Sequence, residues 1–152
     1  MPSGWRIDRP GRDPFSGEGA RLFGGRWNSP GVAVVYLSAH LSLAALEILV
    51  HQRPLTPHGK YLAWQLTWGD AQTERLPVKM LPSRWRESPP GPPSMAVGDE
   101  WVRAQRSLIL AVPSTIVPAE ENYLLNPAHS DFQRLRIPKP IDFAFDPRLL
   151  QS

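Results

Sequence analysis

The 152-residue sequence contains no cysteine, which excludes a disulfide framework and any thiolate metal site. No apolar run approaches the roughly 20 residues of a spanning helix, and the opening MPSGWRIDRPGRD lacks the apolar stretch of a secretion signal. A cytoplasmic protein with no membrane contact is the expectation. Also missing is a GxGxxG fingerprint after a strand, which excludes a Rossmann nucleotide site. Blocks of like charge are absent as well. The formal charge of +3 comes mainly from arginines, among them Arg9, Arg12, Arg21, Arg84, Arg86, Arg103 and Arg106, spread along the chain. That scatter forms no compact basic tract for nucleic acid, whereas each planar guanidinium suits a phosphate or carboxylate. No internal repeat divides the chain, and its length is that of one ordinary domain able to bury a core unaided. Residues 1–152 are therefore read as a single domain.

Proline and glycine are abundant instead, 18 and 11 residues, so long helices are improbable and short strands joined by loops should dominate. The expected class is α/β in the broad, α+β sense, with few short helices. Strands are expected at Trp5-Arg6-Ile7, Val32 to Leu37, Tyr61 to Trp68, Ser107 to Val112 and Ile141 to Phe145. A helix should run from Leu41 to Gln52, stopping before Pro54, with Leu43, Leu46 and Val50 on one face and Ala44, Glu47 and His51 on another. The proline-rich segment 76–93 reads as a connection inside the domain. After it, Asp99 is placed to cap a short helix through Gln105. EENYLLNP, at 120–127, sets Asn122 and Asn126 around a short apolar run, followed by a helical turn or two before Pro138.

The chemistry concentrates between residues 20 and 51. Arg26 follows the Gly24-Gly25 pair, where the backbone is free to turn sharply. Tyr36 lies on the next strand and Glu47 on the helix after it. Together they describe a pocket for an anionic nucleotide. Arg6, in an apolar strand, needs an anionic partner, either in the protein or in a ligand. Glu47 is either a surface residue on a narrow polar face or a functional carboxylate. With His51 it makes half a metal site, but no HExxH or further histidine at ligand spacing accompanies it, and no metal is expected. Ser114, at the end of SLILAVPS, either reaches a pocket or bonds its own turn.

Several motifs then recur in a fixed order: Trp5-Arg6, GGRWNSPG at 24–31, VVYLS at 34–38, LAALEILVH at 43–51, GDEW at 98–101, LAVPS at 110–114, NYLLNPAHSDF at 122–132 and FAFDPRL at 143–149. In these the chain resembles the RES-domain toxins, the toxic halves of bacterial toxin–antitoxin pairs. The resemblance implies a compact fold related to ADP-ribosyltransferases and diphtheria-type toxins. It implies NAD as a substrate rather than a cofactor, cleaved by phosphorolysis or hydrolysis with inorganic phosphate as a possible co-substrate, or used to transfer ADP-ribose to a protein. The implied site is Arg6, Arg26, Tyr36, Glu47 and Ser114, with Ser107 the alternative serine. A helix-turn-helix antitoxin is the implied partner, and any DNA contact belongs to it. No family pattern covers residues 82–93.

That chemistry fits the residues. Nicotinamide leaves NAD as a neutral base, so no general acid is needed and one carboxylate suffices, unlike the pair of an ordinary glycosidase. Glu47 would stabilise the oxocarbenium-like transition state, Arg6 and Arg26 would clamp phosphate, Tyr36 would stack on nicotinamide and Ser114 would orient ribose or phosphate. Two other classes compete. One is a basic, non-catalytic nucleic-acid-binding module with Trp27, Trp64, Trp85 and Trp101 as stacking platforms; the other is a catalytically dead nucleotide sensor.

Overall fold

A computed structural model describes residues 1–51 and 59–150. Its strands are β1 (Ser3–Asp8), β2 (Val35–Ser38), β3 (Tyr61–Thr67), β4 (Thr73–Arg75), β5 (Ile109–Pro113), β6 (Glu121–Leu125) and β7 (Ile141–Phe143). The α-helices are α1 (Glu18–Phe23), α2 (Leu41–His51) and α3 (Pro92–Ala104). All seven strands belong to one sheet in the order β4-β5-β6-β2-β1-β3-β7, antiparallel except for the β4–β5 pair. The class is α+β, as expected from the composition.

Strand alternation sorts the core onto two faces. Val35 and Leu37 of β2, Ile109 and Ala111 of β5, and Tyr123 and Leu125 of β6 pack on one side with Trp64, Leu66 and Trp68. Their neighbours Tyr36, Leu110, Val112 and Leu124 turn to the other side, where Trp27, Trp85 and Trp101 of α3 meet them. Further along that layer α2 lays Ala44 and Leu49 against Ile7, Tyr61, Ala63 and Phe145. Among the described residues no helix is long and apolar enough to cross a membrane.

Several expectations change. The helix around Asp99 begins earlier, at Pro92, because proline's fixed φ and missing N–H suit the first helical turn. Asp99 therefore caps nothing; from mid-helix it accepts hydrogen bonds from the Ser29 backbone N–H (2.9 Å) and hydroxyl (2.6 Å). On α2 the expected Leu43-Leu46-Val50 face is rotated: Leu43, Ala44 and Leu49 are buried, whereas Leu46 and Val50 are 39% and 52% exposed. The predicted end of that helix, Gln52, and Pro54 lie outside the described residues. Ser107 precedes β5 rather than opening it, and β7 stops at Phe143, with Phe145 buried just beyond. Trp27, Trp64, Trp85 and Trp101 are all at most 7% exposed, so they are core residues and not stacking platforms.

Candidate active site

One cleft of about 1060 Å³ opens along the edge of α2, lined by parts of β1, the 13–27 segment, β2, α2 and Asn122 of β6. Its volume exceeds that of a typical small-ligand pocket, about 300–1000 Å³, and is sufficient for a dinucleotide.

Glu47 enters this cleft because of helical spacing. It follows Leu43 by four residues and Ala44 by three, so it shares their inward side rather than the solvent face. Its side chain keeps only 21% exposure. Oε1 accepts from Asn122 Nδ2 at 2.7 Å and from Ser114 Oγ at 3.0 Å. Oε2 lies 3.2 Å from His51 Nε2, so the pair noticed in the sequence bond each other. Burial alone would push this carboxyl's pKa up, but the bonds from His51, Asn122 and Ser114 outweigh it and hold the group below its ordinary value. Glu47 is therefore an anion at neutral pH.

Ser114 stands behind that carboxylate. It is fully buried, and its hydroxyl donates to Glu47 while accepting from the Ile116 and Val117 N–H groups at 3.0 and 3.2 Å. Both sequence readings thus meet in one residue: the hydroxyl bonds its own turn and serves the pocket, but only through Glu47. With one donor and two acceptor sites engaged, nothing of it remains for ribose or phosphate. Ser107 takes a different place. Its hydroxyl accepts from Trp101 Nε1 at 2.9 Å and donates to the Ile109 carbonyl at 2.9 Å, tying α3 to β5.

Tyr36 lines the cleft with its oxygen already committed. The phenol donates to Asn28 Oδ1 at 2.6 Å and accepts from the Trp27 N–H at 3.1 Å. Asn28 is itself fully buried and donates to the Ala20 and Val32 carbonyls at 2.8 and 3.0 Å, which knits the GGRWN loop together. A Cβ at Gly25 would stand 2.7 Å from the Tyr36 oxygen, so this glycine makes room for the phenol. Burial pushes the Tyr36 pKa up, with the Trp27 N–H bond pulling the other way. What Tyr36 offers a ligand is its ring.

The two arginines are held differently. Arg6 Nη2 pairs with Asp8 at 3.3 Å and Nη1 donates to the Tyr36 carbonyl at 3.2 Å, while its Nε is a buried donor with no partner among the described residues. Burial lowers its pKa and Asp8 opposes that shift. Arg26 directs Nη1 to the carbonyls of Trp85 and Glu87, each at 2.8 Å. The proline-rich segment that carries no family pattern is therefore a brace for Arg26. It is anchored by Trp85, whose ring stacks on Trp27 at 6.1 Å and 25°. Burial lowers the Arg26 pKa and the charge of Glu47 raises it. The structure thus gathers Arg6, Arg26, Tyr36 and Glu47 around one cleft with Ser114 behind. Sequence reasoning missed Asn122, Ser38 and the carbonyls of Trp85 and Glu87. Asn122 was legible only once ENYLL was known to be a strand beside β2.

Comparison with known proteins places the chain in a family. Residues 3–146 match the family model described as the RES domain. The chain is 43% identical over 136 residues to "Toxin Res" of Yersinia enterocolitica, covering 89% of this chain and 90% of that protein. It is 39% identical over 156 residues to "Prs ADP-ribosylating toxin" of a Sphingobium strain, covering 97% and 96%. Among solved structures, the crystal structure of the M. tuberculosis MbcT-MbcA toxin-antitoxin complex contains a similar chain, with a TM-score of 0.78 at 20% identity over 97% of this chain and 86% of that one. On the span of the family match and the closeness of these relatives, the chain belongs to the RES domain family.

Proposed function

We propose that this chain is the toxin of a toxin–antitoxin pair and that its cleft cleaves the nicotinamide–ribose bond of NAD. The observation that carries the reading is the state of the cleft's carboxylates. Among the described residues four line it, Asp8, Asp13, Glu18 and Glu47. Asp8 is taken by Arg6 and the Arg9 N–H, Asp13 by the Phe15 N–H and Glu18 by Arg21. Of these four, Glu47 is the one bonded by Asn122, Ser114 and His51 rather than by an arginine or a backbone N–H, and its charge acts on Arg26. Such an arrangement suits a reaction whose transition state is a sugar cation and whose leaving group needs no proton. As the C1′–N bond breaks, its electron pair goes to the nicotinamide nitrogen. Water or phosphate supplies the new pair to C1′, and attacking water gives up a proton. Arg26 and Arg6 meet the phosphates with forked N–H groups, and the Tyr36 ring offers a face for nicotinamide.

A second reading, transfer of ADP-ribose to a protein acceptor, is favoured by the printed name of the Sphingobium relative. Both readings share bond cleavage and differ in the acceptor. The test is incubation of purified protein with NAD, with and without phosphate and with cell extract, followed by product identification. Free ADP-ribose means hydrolysis, its 1-phosphate means phosphorolysis, and label retained on protein means transfer. Absence of nicotinamide release in every condition overturns the reading. The implied antitoxin would cover the cleft, whose rim exposes Leu22 and Phe23 by 53% and 83%.

The brace on Arg26 yields a prediction of its own. Arg26→Ala removes the cation facing Glu47 and should lower kcat/KM for NAD by about 10- to 100-fold, through both a higher KM and a lower kcat. Steady-state kinetics at low NAD checks this; an unchanged rate there would remove Arg26 from the site.

A further inference from the structure

Asn122 has no role in the chemistry described so far, yet it makes the shortest bond to Glu47. Its position follows from strand register. β2 and β6 pair antiparallel with Ser38 directly opposite Asn122, so the two side chains emerge side by side on one face of the sheet. Ser38 is buried at 4% exposure, and its hydroxyl donates to Asn122 Oδ1 at 2.8 Å. The acceptor-only carboxylate of Glu47 settles which end of the amide points where, and the Ser38 bond steadies the other end. With Oδ1 committed to a donor, the Nδ2 end faces Glu47 and donates to Oε1 at 2.7 Å. A flipped amide would set Oδ1 against the acceptor-only carboxylate, exchanging attraction for repulsion there, although the Ser38 hydroxyl could then accept from Nδ2.

The consequence falls on the carboxylate. A carboxylate has about four acceptor sites. Oε1 spends its capacity on Asn122 and Ser114, both inside the protein. Oε2 pairs, among the described residues, with His51, which itself lines the cleft. Resting on the reading of Glu47 as the group facing the reacting sugar, we propose that Ser38 and Asn122 form a positioning relay. The relay fixes the Glu47 rotamer, leaves Oε2 as the oxygen presented to substrate and favours the charged form. Asn122 is thus a positioning residue, one bond removed from the reacting atoms. The groups facing Glu47 that bear on its titration are His51 on its own helix, Arg26 from the 24–28 turn, and neutral Tyr36, Asn122 and Ser114 from β2, β6 and the end of β5. Arg6 on β1, also in the cleft, is paired with Asp8.

The test compares wild type, Asn122→Asp and Ser38→Ala by the pH dependence of nicotinamide release. Asn122→Asp keeps the shape but sets a second carboxylate within bonding distance of Glu47. The acid limb of kcat/KM should then move up by about one pH unit or more, and kcat at pH 7 should fall at least about tenfold while KM for NAD changes less than about threefold. Ser38→Ala leaves the amide in place but removes the bond that steadies its Oδ1 end, so it should produce the same two changes at smaller size. An unmoved acid limb in a folded Asn122→Asp protein overturns the proposal, as does a raised KM with unchanged kcat, which would mean direct substrate contact. A carbon-13 titration of the Glu47 carboxyl, assigned with Glu47→Gln, needs neither NAD nor a folded Asn122 variant. Its midpoint should be higher in Ser38→Ala than in the wild type, and an unmoved midpoint overturns the relay. If that midpoint moves in Ser38→Ala but no condition releases nicotinamide, the relay stands and the NAD reading fails.

Discussion

Glu47→Gln is expected to reduce NAD turnover about a thousandfold while changing NAD affinity less than about threefold. The magnitude is that of removing one preorganised electrostatic group from the site where charge develops. Glutamine keeps the length and shape of the side chain, and its carbonyl can still accept from Asn122 and Ser114. What disappears is the negative charge beside C1′. Bound NAD has its pyridinium charge spread over the ring, so the ground state gains little from Glu47; the sugar cation formed on bond cleavage gains most. An interaction made chiefly in the transition state lowers kcat and leaves binding nearly intact. Nicotinamide release measures the first and calorimetric titration of NAD the second. Wild-type turnover in Glu47→Gln would eliminate the electrostatic role. A loss of affinity matching the loss of rate would instead make Glu47 a binding group.

Why was this carboxylate visible in the sequence when its partner Asn122 was not? Glu47 and Arg26 belong to one short stretch, and local rules carry them. Helical spacing sets Glu47 three and four residues from Ala44 and Leu43, and both are buried. The same rules failed where a choice depended on what lay across the fold. Leu46 and Val50 match the apolar period of α2 as well as Leu49 does, yet the sheet lies under Leu49. ENYLL carries a glutamate and an asparagine, and as an isolated segment it has weak strand character. It becomes a strand because β2 and β5 flank it on both sides. Asn122 gains its meaning only from that pairing. Ser114 was open to two readings because a turn serine and a pocket serine look alike in one dimension. The structure lets one hydroxyl do both, since the turn that it bonds ends directly behind Glu47. The brace on Arg26 acts through main-chain carbonyls, which no residue type announces.

Gly98→Ala is expected to destabilise the protein by about 3 kcal/mol or more, the upper part of the range for overpacked cores. Thermal unfolding should fall by about 6–12 °C for a chain of this length. Ser94, Gly98 and Trp101 form the buried stripe of α3. At the middle of that stripe the helix meets the backbone of the Arg26-Trp27-Asn28 turn so closely that a Cβ on residue 98 would stand 1.6 Å from the Trp27 carbonyl oxygen. No rotamer relieves such a clash, because both partners are main chain or fixed to it. The helix would have to retreat, and Asp99, bonded to Ser29 at 2.6 and 2.9 Å, would pull on the same turn. Gly19→Ala is the control: it too lies in a helix, but a Cβ there meets nothing within 4 Å, so stability should hold or rise slightly. The destabilised variant should also show a functional signature at a temperature where it remains folded. Trp27 is adjacent to Arg26 and stacked on Trp85, whose carbonyl holds the Arg26 guanidinium. Retreat of α3 therefore loosens the cation opposite Glu47, and KM for NAD should rise in Gly98→Ala. Loss of stability with unchanged KM would show that the helix supports the turn's fold without setting the position of Arg26.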